Sequence, residues 1–390
     1  MVMPGTSAQA TPAEKDGQAR EEHDQSGLVT LFLAGDVMLG RGIDQVLPHP
    51  SDPRIFEPNL HSAMDYVEIA ERANGPIAKP VDFAYVWGDA LDELERRRPN
   101  VRLINLETTV TKSVEPAPKG INYKMNPDNA PVLTALRLDG CTLANNHVLD
   151  WGYPGLLETL ETLRKSGVKS AGAGRNRQEA AAPAIFPVPA GRVVVFAFGS
   201  ATSGIPRSWA ATETSPGVNL LPDLSARTVR AVSQQIRTVK RRGDLVVASI
   251  HWGGNWGYAV ADEQVAFAHE LIDAAGVDVV YGHSSHHPKG IEVYRGKLVL
   301  YGCGDLLNDY EGIGGYEDFR DDLSLMYLPT FQASDGTLGA LAMVPLQIRN
   351  FRLNRASAAD AAWLCDSLNR EGKRFGTRVQ LDPDNAISLS

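Results

Sequence analysis

The sequence predicts an α/β layered sandwich, and three observations carry that expectation. Short apolar runs recur along the chain: LVTLFLAG (28–35), VRLINL (101–106), CTLAN (141–145), VVVFAFG (193–199), DLVVASI (244–250) and VDVVYG (277–282). Stretches of helical character alternate with them, at 59–73, 88–97, 129–137, 155–166, 223–242 and 262–275, which is the pattern of buried strands covered by helices. Hydrophobic residues make up 43 % of the 390 and charged residues 22 %, the balance of an ordinary globular protein.

Taken in order, residues 1–27 are rich in Ala, Glu, Gln and Gly with little to bury, and predict a disordered leader. Order begins at Leu28. The six apolar runs and their helices follow, and IEVYRGKLVLYG (291–302) predicts a hairpin, two strands joined by a tight Arg-Gly turn. A last apolar strand, LGALAMVPLQI (338–348), precedes a helix at about 356–371. No repeat and no linker interrupts 28–350, so one domain is expected there, followed by a C-terminal helix and tail over 351–390.

Composition narrows the function. A net charge of −9 argues against a nucleic-acid partner held through phosphates. Cys141, Cys303 and Cys365 are too few and too scattered for a disulfide framework and suit a reducing compartment. No apolar run reaches the length of a membrane span, and residues 1–27 lack the apolar centre of a signal peptide. A cytoplasmic protein without a membrane anchor is the expectation.

The residues that follow the strands point to a site. LFLAG leads into Asp36, LINL into Glu107, TLAN into Asn146 and His147, VVASI into His251, and VVYG into His283, Ser284, Ser285 and His286. Any one of these could be a cap or a hydrogen-bonded core histidine. Five strands delivering carboxylate, amide or imidazole groups to the same edge, where ligands bind in α/β sheets, predict a polar site. Competing motifs fail: there is no phosphate loop, AGAGRN (171–176) lacks dinucleotide spacing, and GHSSH (282–286) has His286 where a nucleophile elbow needs Gly. Trp87, Trp151, Trp252 and Trp256 lie in or near these loops, where they would either bind substrate or pack the core.

The stretches AGDVMLGRGID (34–44), INLETTVT (104–111), TLANNHVLDWG (142–152), SIHWGGNWGY (249–258) and VDVVYGHSSHHPKGIEVYRGKLVLYGCGDLL (277–307) resemble the CapA-type capsule and poly-γ-glutamate synthesis family, which is related to the calcineurin-like metallophosphoesterases. The resemblance implies a four-layer α/β/β/α sandwich. By position it implies a site of Asp36, Glu107, Asn146, His147, His251 and His286.

Departures from the family pattern shape the expected chemistry. Met38 stands where a two-metal phosphoesterase has His, Asn255 replaces a carboxylate in the HWGxE pattern, and Ser284 replaces an imidazole. Hard divalent ions need several anionic or imidazole ligands together. The expectation is therefore no cofactor, or fewer than two tightly held ions; if an ion of Mn, Fe or Zn binds, Asp36, Glu107, Asn146, His251 and His286 are the ligands. A soluble branch resembling this chain includes peptide epimerases of ribosomal, lasso-type peptides. In that reading Asp36, His147, His251 and His286 are catalytic, and exchange a proton at a peptide Cα by general acid/base chemistry. Glu107, Asn146, Trp252, Asn255 and His283 bind the precursor peptide. The alternatives are a metal-dependent hydrolase of phosphoester or γ-glutamyl substrates, and a non-catalytic component of poly-γ-glutamate capsule synthesis.

Overall fold

The computed structural model describes residues 27–390, so the leader expected at 1–27 lies, but for Gly27, outside the described residues. The main strands are β1 (Leu28–Val37), β2 (Val101–Leu106), β3 (Gly140–Thr142), β4 (Gly191–Ser200), β5 (Asp244–His251), β6 (Val279–His283), β7 (Asp305–Leu307), β8 (Leu323–Gln332) and β9 (Leu338–Arg349). The main helices are α1 (Ala63–Asn74), α2 (Gly152–Lys165), α3 (Ala226–Arg237), α4 (Asp262–Ala275) and α5 (Ala358–Gly372).

Two sheets form. In the larger, β1 lies between parallel β2 and antiparallel β8; β3 follows β2, β9 follows β8, and β7 pairs with the C-terminal end of β1. In the smaller, β4, β5 and β6 run parallel, and the hairpin of Ile291–Tyr294 and Lys297–Leu300 extends it. The turn of that hairpin, Arg295-Gly296, has positive φ at both residues (50° and 76°), the twist that matches the flanking strands.

The alternation of side chains shows how the layers stack. In the smaller sheet Val193, Val195, Leu245, Val247, Val279 and Tyr281 join the core shared with the larger sheet. Their neighbours Val194, Phe196, Val246, Ala248 and Val280 pack with Val229, Val232 and Ile236 of α3 and Phe267, Leu271 and Ile272 of α4. A period of two thus commits one face to the sheet–sheet core and the other to helices. Tyr281 Oη donates to the Ala34 carbonyl across the sheet interface. On the larger sheet, Leu156 and Leu163 of α2 and Leu364 and Leu368 of α5 bury into the same core. The result is the four-layer α/β/β/α sandwich.

Two differences from the sequence reading matter. Strand β8 was not anticipated, because Pro329 interrupts LSLMYLPTFQ; its pairing to β1 skips from Thr30–Thr330 to Leu33–Tyr327, and Pro329 sits in that gap. Residues 351–390 are also more than a helix and tail: Arg352–Arg355 and Ile387–Leu389 pair with β9, and Val379–Leu381 pairs with the latter, so the chain's end completes the larger sheet.

Candidate active site

Asp36 is aimed by a break in its own strand. The register of β1 shifts at Asp36 against both β2 and β7. Gly35 allows this: a Cβ there would lie 1.7 Å from the Gly304 carbonyl oxygen, and Asp36 N–H bonds that same oxygen at 3.0 Å. The bulge turns the Asp36 carboxylate into the site, a recurrent use of bulges beside functional centres. Its oxygens accept from Asn105 Nδ2 (2.6 Å) and from the Ser284 N–H (3.1 Å).

The remaining groups converge from the other strand ends. His251 ends β5 and His283 ends β6, side by side in register. Ser249 Oγ lies 2.7 Å from His283 Nε2, His283 Nδ1 lies 3.2 Å from His251 Nδ1, and His251 Nε2 lies 2.8 Å from Asn146 Oδ1. One set of tautomers satisfies the chain: Ser249 donates to His283, His283 to His251, and His251 to Asn146. Glu107 follows β2, with Oε1 3.7 Å from His251 Nε2 and 3.8 Å from His147 Nε2. His147 Nδ1 is 2.6 Å from Asp150, and His286 Nδ1 is 2.9 Å from Asp305. Both imidazoles are therefore oriented by a carboxylate, with Nε2 left for the site.

Burial and charge act together on these groups. Burial, with the Asp305 charge adding to it, raises the Asp36 carboxyl to about 7. Burial and the neighbouring charges of Asp36 and Asp305 raise Glu107 well above the usual range. Burial depresses His251, and takes His283 to about 3 and His147 to about 4. His286 goes the other way: burial opposes its charged form, but Asp305 and Asp36 outweigh burial and raise it.

A divalent cation fits this donor set. Ligand atoms of Asp36, Glu107 and His286 lie within 4.8 Å of one another, as do those of Asp36, His251 and His283. In the second trio the imidazole nitrogens are engaged with each other, with Ser249 and with Asn146. In the first, Glu107 Oε2 is buried without a hydrogen-bond partner, a costly state for a carboxylate oxygen that a cation would relieve. Asp305 behind His286, and Asn105 and the Ser284 N–H behind Asp36, are the supporting partners that metal ligands require.

The sequence-derived residues sort accordingly. Asp36, Glu107, Asn146, His147, His251 and His286 are brought together. Trp252 is not a substrate contact: it is buried under α4, its Nε1 donates to the Tyr301 carbonyl (3.0 Å), and its ring stacks on Tyr301. His283 is fully enclosed and touches His251 and Ser249, so it positions rather than binds substrate. The Asn255 side chain is exposed, and only its carbonyl meets the site, accepting from the His286 N–H. Trp87 and Trp151 are core residues that bond the Val132 and Tyr123 carbonyls; Trp256 alone of the four is half-buried, stacked on Tyr316 near His286. Met38 faces Tyr310 Oη, and Ser284 Oγ donates to the Gly253 carbonyl, so neither replaces the missing imidazoles.

The sequence reading missed Asp305, Asn105, Asp150 and Lys119. It also missed Arg41, whose buried guanidinium is held by Asp309, Glu57 and Tyr66 and lies 4.5 Å from the ring centre of Tyr123. The Tyr123 ring in turn lies tilted against His147, their centres 4.1 Å apart. An amide within an apolar strand (Asn105) and a carboxylate three residues after a histidine (Asp150) were available signals. Lys119 and Arg41 had none.

A two-sheet sandwich with a buried carboxylate–imidazole cluster at its strand ends is of the metallophosphoesterase-like class. The family model of the bacterial capsule synthesis protein PGA_cap matches residues 30–310. The chain belongs to that family. It is 50 % identical over 365 residues, 93 % of this chain and 96 % of the relative, to a probable polyglutamine synthesis accessory protein of Mycobacterium tuberculosis. It is 28 % identical over 302 residues, 77 % of this chain and 67 % of the relative, to the PGA biosynthesis protein CapA of Bacillus subtilis. The capsule biosynthesis protein CapA of Bacillus anthracis is 23 % identical over 329 residues, 84 % of this chain and 69 % of the relative. Among the described residues no helix is long and apolar enough to cross a membrane.

Proposed function

We propose that this chain serves the synthesis of a glutamate-based bacterial capsule polymer and acts on that polymer, or on its precursor, as a divalent-cation-dependent hydrolase or transferase. The names of its relatives, a polyglutamine synthesis accessory protein and PGA and capsule biosynthesis proteins, support the polymer. The observation that carries the chemistry is the unpartnered, buried Oε2 of Glu107 beside Asp36 and His286. Asp36, Glu107 and His286 would hold the ion, of Mn, Fe or Zn type by their mixed oxygen and nitrogen donors. When bound, it supplies Lewis-acid polarisation of a carbonyl or phosphoryl oxygen. His147, neutral and fixed by Asp150, takes or gives a proton at the reacting centre through Nε2. Asn146, held through His251, orients the group beside it.

The test is elemental analysis of the dialysed protein together with mass spectrometry of γ-linked glutamate oligomers after incubation. About one ion per chain, with chelator-sensitive shortening or transfer of the oligomer, is the expected result. A protein free of any ion, with turnover indifferent to chelator, would remove the reading.

A second reading, a peptide epimerase, is favoured by the two carboxylate-paired imidazoles, His147 with Asp150 and His286 with Asp305. Against it, the ligand atoms of Asp36, Glu107 and His286 converge within 4.8 Å, a spacing that suits an ion better than a Cα flanked by acid and base. Incorporation of one deuterium at an inverted Cα in heavy water, unaffected by chelator, would establish this second reading in place of the first.

A further inference from the structure

Lys119 enters the site from the loop 113–121, which precedes Tyr123 and is not part of any strand-end motif. The loop is pinned: the Ala117 N–H bonds the Asp150 carbonyl (2.7 Å), and Asn122 Nδ2 bonds the carbonyls of Ala117 (3.2 Å) and Asp150 (3.1 Å). Lys119 Nζ donates to the Asn146 carbonyl (2.5 Å) and to Asp150 Oδ1 (2.7 Å). His147 Nδ1 lies 3.3 Å away but cannot accept, because it is 2.6 Å from Asp150 Oδ2 and an ionised carboxylate only accepts.

An ammonium has three N–H groups, so one remains unspent. The Lys119 side chain is 26 % exposed, and the ring of Trp209 lies 5.5 Å from Nζ. Arg41 is not comparable: it is 3 % exposed, and Asp309, Glu57 and Tyr66 take four of its five N–H groups. Charge gives the spare N–H a purpose. Asp36, Glu107, Asp150 and Asp305 are all buried around the site, in a chain of net charge −9. A cation at their rim favours the approach of an anionic group of the substrate.

We propose that Lys119 is a specificity-determining residue: its remaining N–H takes a substrate carboxylate, and so seats the adjacent amide against Nε2 of His147. The substrate class is a γ-linked glutamate chain, in which every reacting amide has a free α-carboxylate close by. This inference rests on the polymer reading above and extends it to the recognition of the monomer unit.

The experiment compares binding of two fluorescently labelled oligomers, γ-linked glutamate and the same chain with its α-carboxylates amidated, by anisotropy. Wild-type protein, Lys119→Arg and Lys119→Met are used. Loss of one charge-assisted hydrogen bond predicts a preference of about tenfold for the acid oligomer in wild type. Lys119→Arg keeps most of it. Lys119→Met brings the two oligomers to parity, with bound-ion content unchanged. The imidazole nitrogen shifts of His147, read by NMR in each variant, separate recognition from bracing. Parity in Lys119→Met with His147 shifts intact supports the proposal. A retained preference with a changed His147 tautomer means that Lys119 only braces Asp150, and overturns it. Equal binding of both oligomers by wild type overturns the inference while leaving the polymer reading in place. Binding of neither oligomer overturns the polymer reading and this inference with it.

Discussion

Replacing Asp36 by Asn should make the metal-free protein more stable at neutral pH while destroying its response to a cation. In the folded protein the Asp36 carboxyl is raised from 3.8 to about 7. Between those values the unfolded chain has released the proton and the native state still holds it, so the contribution of Asp36 to stability falls as pH rises from about 4 to 7 and then levels off, opposite in sign to that of the buried histidines His147, His251 and His283. A shift of roughly 3 units at 1.36 kcal/mol each puts the full penalty near 4 kcal/mol above pH 7. Asn at 36 removes that penalty but cannot accept from both Asn105 Nδ2 and the Ser284 N–H. One lost or reversed hydrogen bond costs about 1 to 2 kcal/mol. The net expectation is a gain of about 2 to 3 kcal/mol at pH 8 and a loss of about 1 to 2 kcal/mol near pH 4. Urea denaturation of chelator-treated protein at both pH values, repeated with added Mn²⁺, measures it. Mn²⁺ should stabilise wild type by mass action and leave Asp36→Asn unchanged. The same difference in stability between wild type and Asp36→Asn at both pH values, or the same Mn²⁺ response in both proteins, would refute the reasoning.

Three further outcomes follow from the site and core. Glu107→Gln should lower the bound-ion content of dialysed protein to near zero by elemental analysis, because it removes the unpartnered carboxylate oxygen while keeping shape. Asp150→Asn should reduce turnover by about 10² or more, since it unfixes the His147 tautomer, with little change in ion content; an unchanged rate would return the pair to a structural role. Trp252→Ala should lower unfolding free energy by about 3 to 5 kcal/mol in denaturant titration and leave ion binding intact, as the ring belongs to the α4 core.

How much of this was legible in the sequence depended on whether the signal was local. The six apolar runs became β1 to β6 because strands buried on both faces are continuous apolar stretches, and their ends announced Asp36, Glu107, His147 and His251. Strand parity was the clue left unused: His251 and Trp252 are consecutive, so if one faces the site the other faces the α4 layer. Asp305 belongs to a strand of only three residues, entered through Gly302-Cys303-Gly304, too short to carry a periodic signature. Lys119 was invisible because its partners, Asn146 and Asp150, are about thirty residues away and joined to it only by the fold. Attention to the Met38, Asn255 and Ser284 departures left aside the carboxylates Asp150 and Asp305, which lie within the matching stretches 142–152 and 277–307 but were not singled out.

The placement of β1 sets the order in which the site can be completed. Leu28–Val37 is the first strand among the described residues, yet its antiparallel neighbour is Leu323–Gln332, and the sheet beyond is completed by Ile387–Leu389 with Val379–Leu381 at its edge. During synthesis Asp36 therefore leaves the ribosome some 270 residues before Asp305 and β8 exist to enclose it. Pairings of such sequence separation form late and slowly. Until then the β1 edge is an unpaired apolar template, open to other chains. A chain truncated ahead of β8 would expose that edge permanently, so fragments ending before residue 323 should aggregate even though they contain every strand-end residue that the sequence singles out.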